Sequence, residues 1–381
     1  MGIINNVYQC YGGLPFLFVL SLVVFFHELG HFLVARWCGV RVLVFSLGFG
    51  PELVGFNDRT GTRWKVSAIP LGGYVKFLGD ENAASVPDTA AAATMSPEDR
   101  AHSFFHKPVW ARAAVVVAGP MANFLLAIVI SAGILMLYGQ RTMSPRVDGV
   151  MADGAAAAAG FKPGDLVLSI DGKKIESFAD MQRIVTTNAG HTLEVVVDRD
   201  GKEVTLKATP ALKENKDFFG NVRREGVLGI TRSATSPDDV KTERVGPIQA
   251  VWLATEQTAT VITTTLSYIG GIFVGRESAD QLGGPIQIAV ISCQVATLGF
   301  MPLLNLAAFL SISIGLLNLF PIPLLDGGHL LFYAIETVRG RPLSDRAQEV
   351  GFRIGLAIVL VLMVFATKND IVKYVINLFF T

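Results

Sequence analysis

The stretch LPFLFVLSLVVFFHELGHFLVA, residues 14–35, combines a long apolar run with two histidines and a glutamate. About 20 mostly apolar residues are enough for a helix to cross the hydrocarbon core of a bilayer, so the stretch predicts a transmembrane helix. A charged side chain near the bilayer centre costs about 2.5–3.5 kcal/mol on insertion scales. The polar residues inside this helix therefore indicate a function.

The motif within this helix is His27-Glu28-Leu29-Gly30-His31. Side chains at positions i and i+4 of a helix point the same way, so both imidazoles can bind one Zn²⁺. Glu28 projects beside them, where it can take a proton from a water molecule that zinc has activated. The alternative is a pair of histidines that is only structural, and a structural helix has no reason to bear the cost of burying them.

The rest of the chain has the composition of a polytopic α-helical membrane protein. Its residues are 51% hydrophobic and 17% charged, whereas soluble domains carry about 25% charged residues. Further apolar stretches at 111–138, 303–333 and 351–367 predict about four transmembrane helices in all. Lys+Arg and Asp+Glu balance at 32 each. The chain therefore lacks the basic excess of a protein that binds nucleic acid.

Positive charges beside these stretches predict their orientation, because short loops rich in Lys and Arg stay cytoplasmic. Arg36 and Arg41 follow the first stretch, and Lys107 and Arg112 precede the second. Three further arginines lie between the third and the fourth stretch: Arg339, Arg341 and Arg346. These charges predict an outer N-terminus, an inner segment 36–110 and a mostly outer segment 139–300.

The chain divides into four parts. Residues 1–138 hold the first two helices and a β-rich segment, 41–78, whose NDRTG turn predicts a membrane-associated β-hairpin or sheet. Residues 142–212 alternate strand and helix patterns, which predicts an inserted α+β domain outside the membrane. Residues 213–300 are predicted as a linker and amphipathic membrane-associated helices, with a shielding structural segment as the alternative for 245–300. Residues 301–381 hold the last two helices.

A catalytic zinc needs a third protein ligand, and the sequence NLFPIPLLDGGH, residues 318–329, offers two candidates. Asp326 is a carboxylate late in an apolar stretch, where it is costly unless it coordinates or pairs. His329 lies three residues further on a similar helical face and is the competing ligand.

Four sequences resemble the bacterial site-2 protease family of M50 zinc metalloproteases, and within it the regulator of sigma-E protease type. They are HELGH, GPMANF (119–124), NLFPIPLLDGGH and the stretch GFKPGDLVLSIDG, which is similar to a bacterial PDZ domain. The resemblance implies one Zn²⁺ per chain, held by His27, His31 and Asp326, with Glu28 as the general base. The best-known members of this type carry two tandem PDZ domains, whereas 142–212 provides one convincing copy.

The same resemblance implies regulated intramembrane proteolysis in the bacterial inner membrane, with an active site near the cytoplasmic side and a periplasmic PDZ domain. The implied substrates are single-pass membrane proteins, such as anti-sigma factors or remnant signal peptides, already trimmed by a first protease. The PDZ-like domain either captures a peptide terminus or excludes bulky outer domains. A membrane enzyme that acts on lipid and a non-enzymatic scaffold are the rival interpretations.

The proline-rich end of the third stretch predicts one set of substrate contacts. Pro321 and Pro323 each remove a backbone donor, so the helix should break there and line a cavity. Asn318 could then offer its amide to a substrate backbone. A simple kink, with a structural Asn318, is the alternative.

A second set of predicted substrate contacts lies in the β-rich segment. Gly72, Gly73 and Tyr74, in PLGGYVKF, could pair with an unwound substrate by adding it as an edge strand, and a plain structural hairpin is equally compatible with the sequence. Asn123, in GPMANF, completes the predicted substrate-binding residues.

Overall fold

A computed structural model of the 381-residue chain describes residues 13–80, 95–216, 222–231, 240–275 and 278–376. The chain forms two compact units. The first consists of Met1–Gly133 and Ala250–Thr381, and the second is Ile134–Gln249.

The described elements have the following bounds. The α-helices are α1 (Leu14–Trp37), α2 (Pro97–His102), α3 (Val109–Tyr138), α4 (Ala155–Ala159), α5 (Phe178–Thr187), α6 (Pro247–Phe273), α7 (Pro285–Thr297), α8 (Phe300–Asn318), α9 (Asp326–Arg339) and α10 (Asp345–Asp370). The strands are β1 (Val42–Asn57), β2 (Arg63–Phe77), β3 (Gln140–Met143), β4 (Gly149–Val150), β5 (Leu166–Ile170), β6 (Lys173–Lys174), β7 (Leu193–Arg199), β8 (Lys202–Ala208), β9 (Ala211–Lys216), β10 (Val222–Val227), β11 (Ile230–Thr231) and β12 (Val240–Glu243). Phe104–His106 and Ala279–Gln281 are 3₁₀ turns, and Ile371–Ile376 is π-helical.

Among the residues that the structure describes, four helical stretches are long and apolar enough to cross a membrane: α1, α3, α8 and Arg346–Lys373. They confirm the predicted number of apolar helices, and the chain is a multi-pass membrane protein. Trp37 ends α1 and Trp110 lies at the start of α3, and they expose 79% and 70% of their surface. Exposed tryptophans at helix ends are typical of the interface between lipid and water.

The third predicted stretch, 303–333, is not one continuous helix. Helix α8 ends at Asn318, helix α9 begins at Asp326, and the turn between them contains Pro321 and Pro323. The predicted break is confirmed, because neither proline can donate a helical hydrogen bond. The predicted bounds of this span are wrong, since Asp326 and His329 lie on the next helix.

Strands β1 and β2 pair as an antiparallel sheet whose register is interrupted by bulges. Residues 42–47 lie opposite 73–77, while 44–47 also lie opposite 63–66. Residues 44–47 are therefore central, and among the described residues 73–77 forms one edge. Gly72, at the bend before this edge, has a φ of +103°, which glycine adopts without strain.

Aromatic side chains hold this sheet against α1. The ring of Phe45 stacks on Trp64 at 4.2 Å, and Phe32 of α1 packs edge-on against both rings. Arg36, in the last turn of α1, pairs with Asp58 in the turn between the strands. These contacts place β2 alongside the helix that carries the histidines. Whether the sheet also touches a membrane stays a prediction.

The second unit contains a four-stranded sheet in the order β6-β5-β7-β8. Its core is formed by inward-facing residues of the sheet and of α5, among them Val167, Ile170, Val195, Val197 and Met181. Buried Asp165 accepts hydrogen bonds from the Arg199 guanidinium at 2.7 and 2.8 Å. Burial raises the pKa of Asp165, but the bonds from Arg199 and from the Lys162 backbone N–H outweigh it and hold that pKa below its usual value.

The second unit continues beyond the predicted boundary at residue 212. Strand β9 pairs with β10, Ile230 of β11 lies opposite Val150, and Val240 of β12 lies opposite Met143. The segment predicted as a linker thus supplies strands that close the unit, including its last strand beside its first. These strands were concealed because the segment is short and highly charged and lacks the regular alternation that indicates a strand. Its likeness to a PDZ domain stays a prediction.

Helix α6 exposes large apolar side chains, including Ile248, Trp252 and Phe273. Its threonines donate their hydroxyls to backbone carbonyls one turn earlier, as Thr258 does to Ala254 at 2.8 Å. Such bonds lower the cost of placing threonine next to lipid. The predicted association of this helix with a membrane remains a prediction.

Candidate metal centre

Helix α1 brings the two predicted imidazole ligands together. Nε2 of His27 and Nε2 of His31 lie 3.3 Å apart, and the two side chains are buried. The helix can approach α3 closely at this level because of Gly30, where a Cβ would lie 2.7 Å from the Cβ of Ala122. A one-turn spacing on a tightly packed helix therefore creates a fixed pair of nitrogen donors.

The carboxylate comes from the first residue of α9. Asp326 Oδ2 lies 3.2 Å from His27 Nε2, and Asp326 Oδ1 lies 3.5 Å from His31 Nε2. The backbone reaches this position through Leu324, whose φ of +96° is strained for a residue other than glycine. Gly327 and Gly328 are buried against the preceding turn, where a Cβ would overlap backbone atoms. The position of Asp326 thus depends on a specific turn.

These three side chains fit a zinc ion. Their ligand atoms all lie within 4.8 Å of one another, and the closest separations, 3.2 to 3.5 Å, are those just given. In a tetrahedral site with bonds near 2.1 Å, ligand atoms lie about 3.3–3.5 Å apart. Asp326 Oδ2 is also buried without a well-formed hydrogen bond, as expected of an oxygen meant for a cation. Two imidazoles and one carboxylate leave a fourth position open for water or substrate.

The second nitrogen of each imidazole has its own partner. His31 Nδ1 lies 2.9 Å from the carbonyl of Val115, which can accept its N–H and so leave Nε2 free to bind a metal. The His31 ring fits against α3 because residue 119 is glycine, and a Cβ there would lie 2.9 Å from His31 Cδ2. His27 Nδ1 lies 3.2 Å from the side-chain nitrogen of Asn123.

A cavity of about 190 Å³ opens beside the donor atoms. Glu28 lines it together with the edge of the sheet, and a Cβ on Gly73 would lie 3.2 Å from Glu28 Cγ. The other lining residues are His27, His31, Tyr74, Val75, Phe77, Phe104, Val115, Val116, Asn318, Leu324, Leu325, Asp326, His329 and Tyr333. The cavity therefore joins the metal ligands, the carboxylate of Glu28 and one edge of the sheet.

The structure separates the predicted substrate-binding residues into two groups. Gly73, Tyr74 and Asn318 line the cavity. Four do not belong to its described lining: Gly72, Pro321, Pro323 and Asn123. A Cβ on Gly72 would instead meet the ring of Phe49, the prolines lie in the turn before Asp326, and Asn123 is fully buried behind His27.

His329, the competing ligand, also lines the cavity but lies outside the group of three close donor atoms. Its ring packs at 5.5 Å from that of Phe352 on α10. The geometry therefore favours Asp326 over His329 as the third ligand.

Sequence reasoning missed several residues that support the site. The carbonyl of Val115, the glycine at 119 and the strained backbone of Leu324 all act through the main chain. GPMANF contained a signal, since a glycine followed by a proline inside an apolar helix is unusual and often has a packing reason. Ser311, which donates its hydroxyl to the Asn123 carbonyl at 2.8 Å, gave no signal in the sequence.

Known proteins match this chain along most of its length. A profile of Peptidase family M50 matches residues 15–362, a range that contains all three candidate ligands. A protein of Agrobacterium fabrum, named as a zinc metalloprotease, is 53% identical over 94% of both chains. A similarly named protein of Rhizobium meliloti is 52% identical over 93% of this chain and 95% of its own. The metalloprotease MmpA of Caulobacter vibrioides is 44% identical over 94% of each chain.

Proposed function

The chain belongs to peptidase family M50 and is a zinc metalloprotease, and from this premise we propose that it cleaves single-pass membrane proteins within the bilayer. The observation that carries the proposal is the cluster of His27, His31 and Asp326 beside Glu28, with both histidines on a helix apolar enough to span a membrane. A protease for soluble substrates would gain nothing from placing its site there.

In the proposed reaction His27, His31 and Asp326 hold the zinc ion. Bound zinc supplies Lewis-acid polarisation of the substrate carbonyl and makes a water molecule more acidic. Glu28, on the wall of the same cavity, takes the proton from the attacking water and returns it to the leaving amine. Asn318, on the same wall, offers its side-chain amide to the substrate backbone.

A transmembrane substrate must unwind before its peptide bonds can be attacked, because a helix conceals them in its own hydrogen bonds. We propose that the unwound segment adds to the edge formed by residues 73–77. Two observations support this: among the described residues a neighbouring strand pairs with residues 73–75 on one side only, and Gly73 and Tyr74 line the cavity. Edge addition binds the substrate through backbone hydrogen bonds, which depend little on the side chains of the substrate.

This edge proposal can be tested with proline. Tyr74→Pro and Val75→Pro, tested separately, each remove one N–H, and neighbouring amides of a strand point to opposite sides. One variant should raise KM for a membrane substrate much more than the other, since only one removes an outward donor. If the two proline variants are equally stable and raise KM equally, the result would favour a structural role for the sheet.

We further propose that the second unit screens substrates. If the second unit is a size filter, its removal should allow cleavage of untrimmed proteins. If it captures peptides, its removal should abolish cleavage. A cavity of about 220 Å³ between α5 and residues 226–230 is the candidate peptide site for the second reading. Because Met143 lies opposite Val240, residues 144–239 can be replaced by a two-residue Asn-Gly turn with little strain.

The orientation of the chain in its membrane is also part of the proposed function. We propose that the N-terminus and the second unit lie on the periplasmic side of a bacterial inner membrane and the metal ligands near the cytoplasmic side, which the positive residues beside the spans support. The proposed substrates, anti-sigma factors and remnant signal peptides trimmed by a first protease, share a single span and a small outer part.

The decisive experiment uses Glu28→Gln, with Glu256→Gln on exposed α6 as the matched control. The first variant should bind zinc, stop cleaving and co-purify with trapped substrates that mass spectrometry can identify. The control should cleave normally and trap nothing. Release of lipid products would support a lipid hydrolase instead. Unchanged physiological output from Glu28→Gln would indicate a non-enzymatic scaffold.

A further inference from the structure

Asn123 of α3 is fully buried, lies within hydrogen-bond distance of a candidate zinc ligand and does not belong to the described lining of the cavity. Its amide nitrogen lies 3.2 Å from His27 Nδ1, on the ring edge opposite the metal. The nearby buried residues Phe124, Ala127 and Ile312 are apolar, so burying a polar group here is costly unless a protein group bonds to it.

The main-chain carbonyl of Asn123, as distinct from its side-chain oxygen, is bonded from the other side by α8. Ser311, also fully buried, donates its hydroxyl to this carbonyl at 2.8 Å. Residue 315 is glycine, and a Cβ there would lie 3.1 Å from the Cβ of Asn123. Three helices thus meet at this residue: α1 through His27 at the side-chain amide, α3 itself, and α8 through Ser311 at the main-chain carbonyl.

We infer that Asn123 is a positioning residue that fixes the His27 ring for zinc, and that Ser311 holds Asn123 in place. A zinc-binding imidazole needs Nε2 unprotonated, which requires a proton on Nδ1 and an acceptor for it. Asn123 Oδ1 is that acceptor after a half-turn of the amide. In the described orientation Oδ1 is buried and has no hydrogen-bond partner, so the rotation gives up no bond made by this oxygen.

This role differs from the predicted one, in which Asn123 contacts the substrate. It rests on the proposed function, because it assumes that His27 binds zinc. Loss of an outer-shell partner of a metal-bound histidine typically weakens metal binding about 10–100-fold. The inference therefore concerns zinc affinity, which can be measured without substrate.

The test titrates Zn²⁺ alone against a competing chelator in the full chain, purified in detergent. Asn123→Leu, which removes the acceptor at similar volume, should bind zinc about 10–100-fold more weakly than the wild type. Asn123→Asp, which can accept but not donate, should remain within about threefold. Ser311→Ala should lie between the two. Thr258→Val removes a buried hydroxyl of α6 that bonds only to its own helix, and it should leave zinc affinity unchanged.

Thermal unfolding of the zinc-free forms, measured in parallel, distinguishes a variant that binds zinc weakly from one that does not fold. Wild-type affinity in folded Asn123→Leu would overturn the inference and leave the proposed function intact. If that variant does not fold, Asn123→Asp decides, since a loss of about tenfold or more there would exclude an acceptor role. A wild-type chain that binds no zinc would overturn the proposed function as well.

Discussion

Replacing Gly73 by alanine tests the link between the sheet and the general base. The added Cβ would lie 2.8 Å from the Ser46 carbonyl oxygen, 2.9 Å from Val24 Cγ1 and 3.2 Å from Glu28 Cγ. Ordinary contacts of this kind begin near 3.4 Å. The strand edge and the Glu28 side chain must therefore separate by a few tenths of an ångström. Overpacking of this size costs about 1–3 kcal/mol of stability.

The decrease in kcat of Gly73→Ala should be larger than its loss of folding stability alone would suggest. A misplacement of about 1 Å can cost 10²-fold in rate, so a shift of a few tenths should lower kcat by roughly tenfold. Zinc content should not change, because Gly73 contacts none of the three ligands among its nearest neighbours. Cleavage of a substrate identified by trapping is measured in proteoliposomes, together with zinc content and melting temperature.

Gly133→Ala is the matched control, since a Cβ on this glycine of α3 would meet no atom within 4 Å. It should cleave at the wild-type rate. Cleavage by Gly73→Ala at the wild-type kcat, with an unchanged melting temperature, would refute the claim that the sheet edge supports Glu28.

Further predictions follow from the supporting structure. Gly119→Ala should displace the His31 ring and weaken zinc binding at least tenfold, measured by chelator competition; normal zinc affinity would contradict the tight packing at α3. Asp165→Asn should destabilise the second unit by roughly 2 kcal/mol at neutral pH, as seen by hydrogen exchange in β7, because Arg199 loses its charged partner. Since the folded pKa of Asp165 is lowered, this contribution is complete above its ordinary pKa of 3.8 and is lost as the pH falls through the folded pKa. A mutant difference that persists unchanged well below pH 3.8 would be inconsistent with that sign. Leu324→Gly should keep or slightly raise stability while Leu324→Val loses about 1–2 kcal/mol, because only glycine adopts positive φ freely. Equal melting temperatures for the two would remove the argument for strain.

The membrane-spanning pattern and the HExxH pair could be predicted because each depends on local sequence. Apolar runs of sufficient length fix the helices, and the spacing of His27 and His31 fixes their common face. Asp326 could be favoured over His329, because a carboxylate is costly in an apolar stretch and the resemblance implies it, but its position could not be derived, since it depends on a turn whose Leu324 backbone is strained. That conformation follows from tertiary packing and leaves no pattern in the sequence.

Long-range contacts account for the rest of what the sequence did not reveal. Asn123 was predicted to touch substrate, but the crossing of three helices places it behind His27. Strands β11 and β12 were hidden because each is short and acquires its partner from the start of the unit. Strand partners at large sequence separation cannot be assigned from periodicity alone.

X-ray absorption at the zinc edge, on wild-type protein purified in detergent, tests the central claim most directly. The account predicts one zinc per chain, bound by two imidazole nitrogens of His27 and His31 and by a carboxylate oxygen of Asp326. A folded protein without zinc, or a spectrum that requires a third imidazole and no carboxylate, would contradict it.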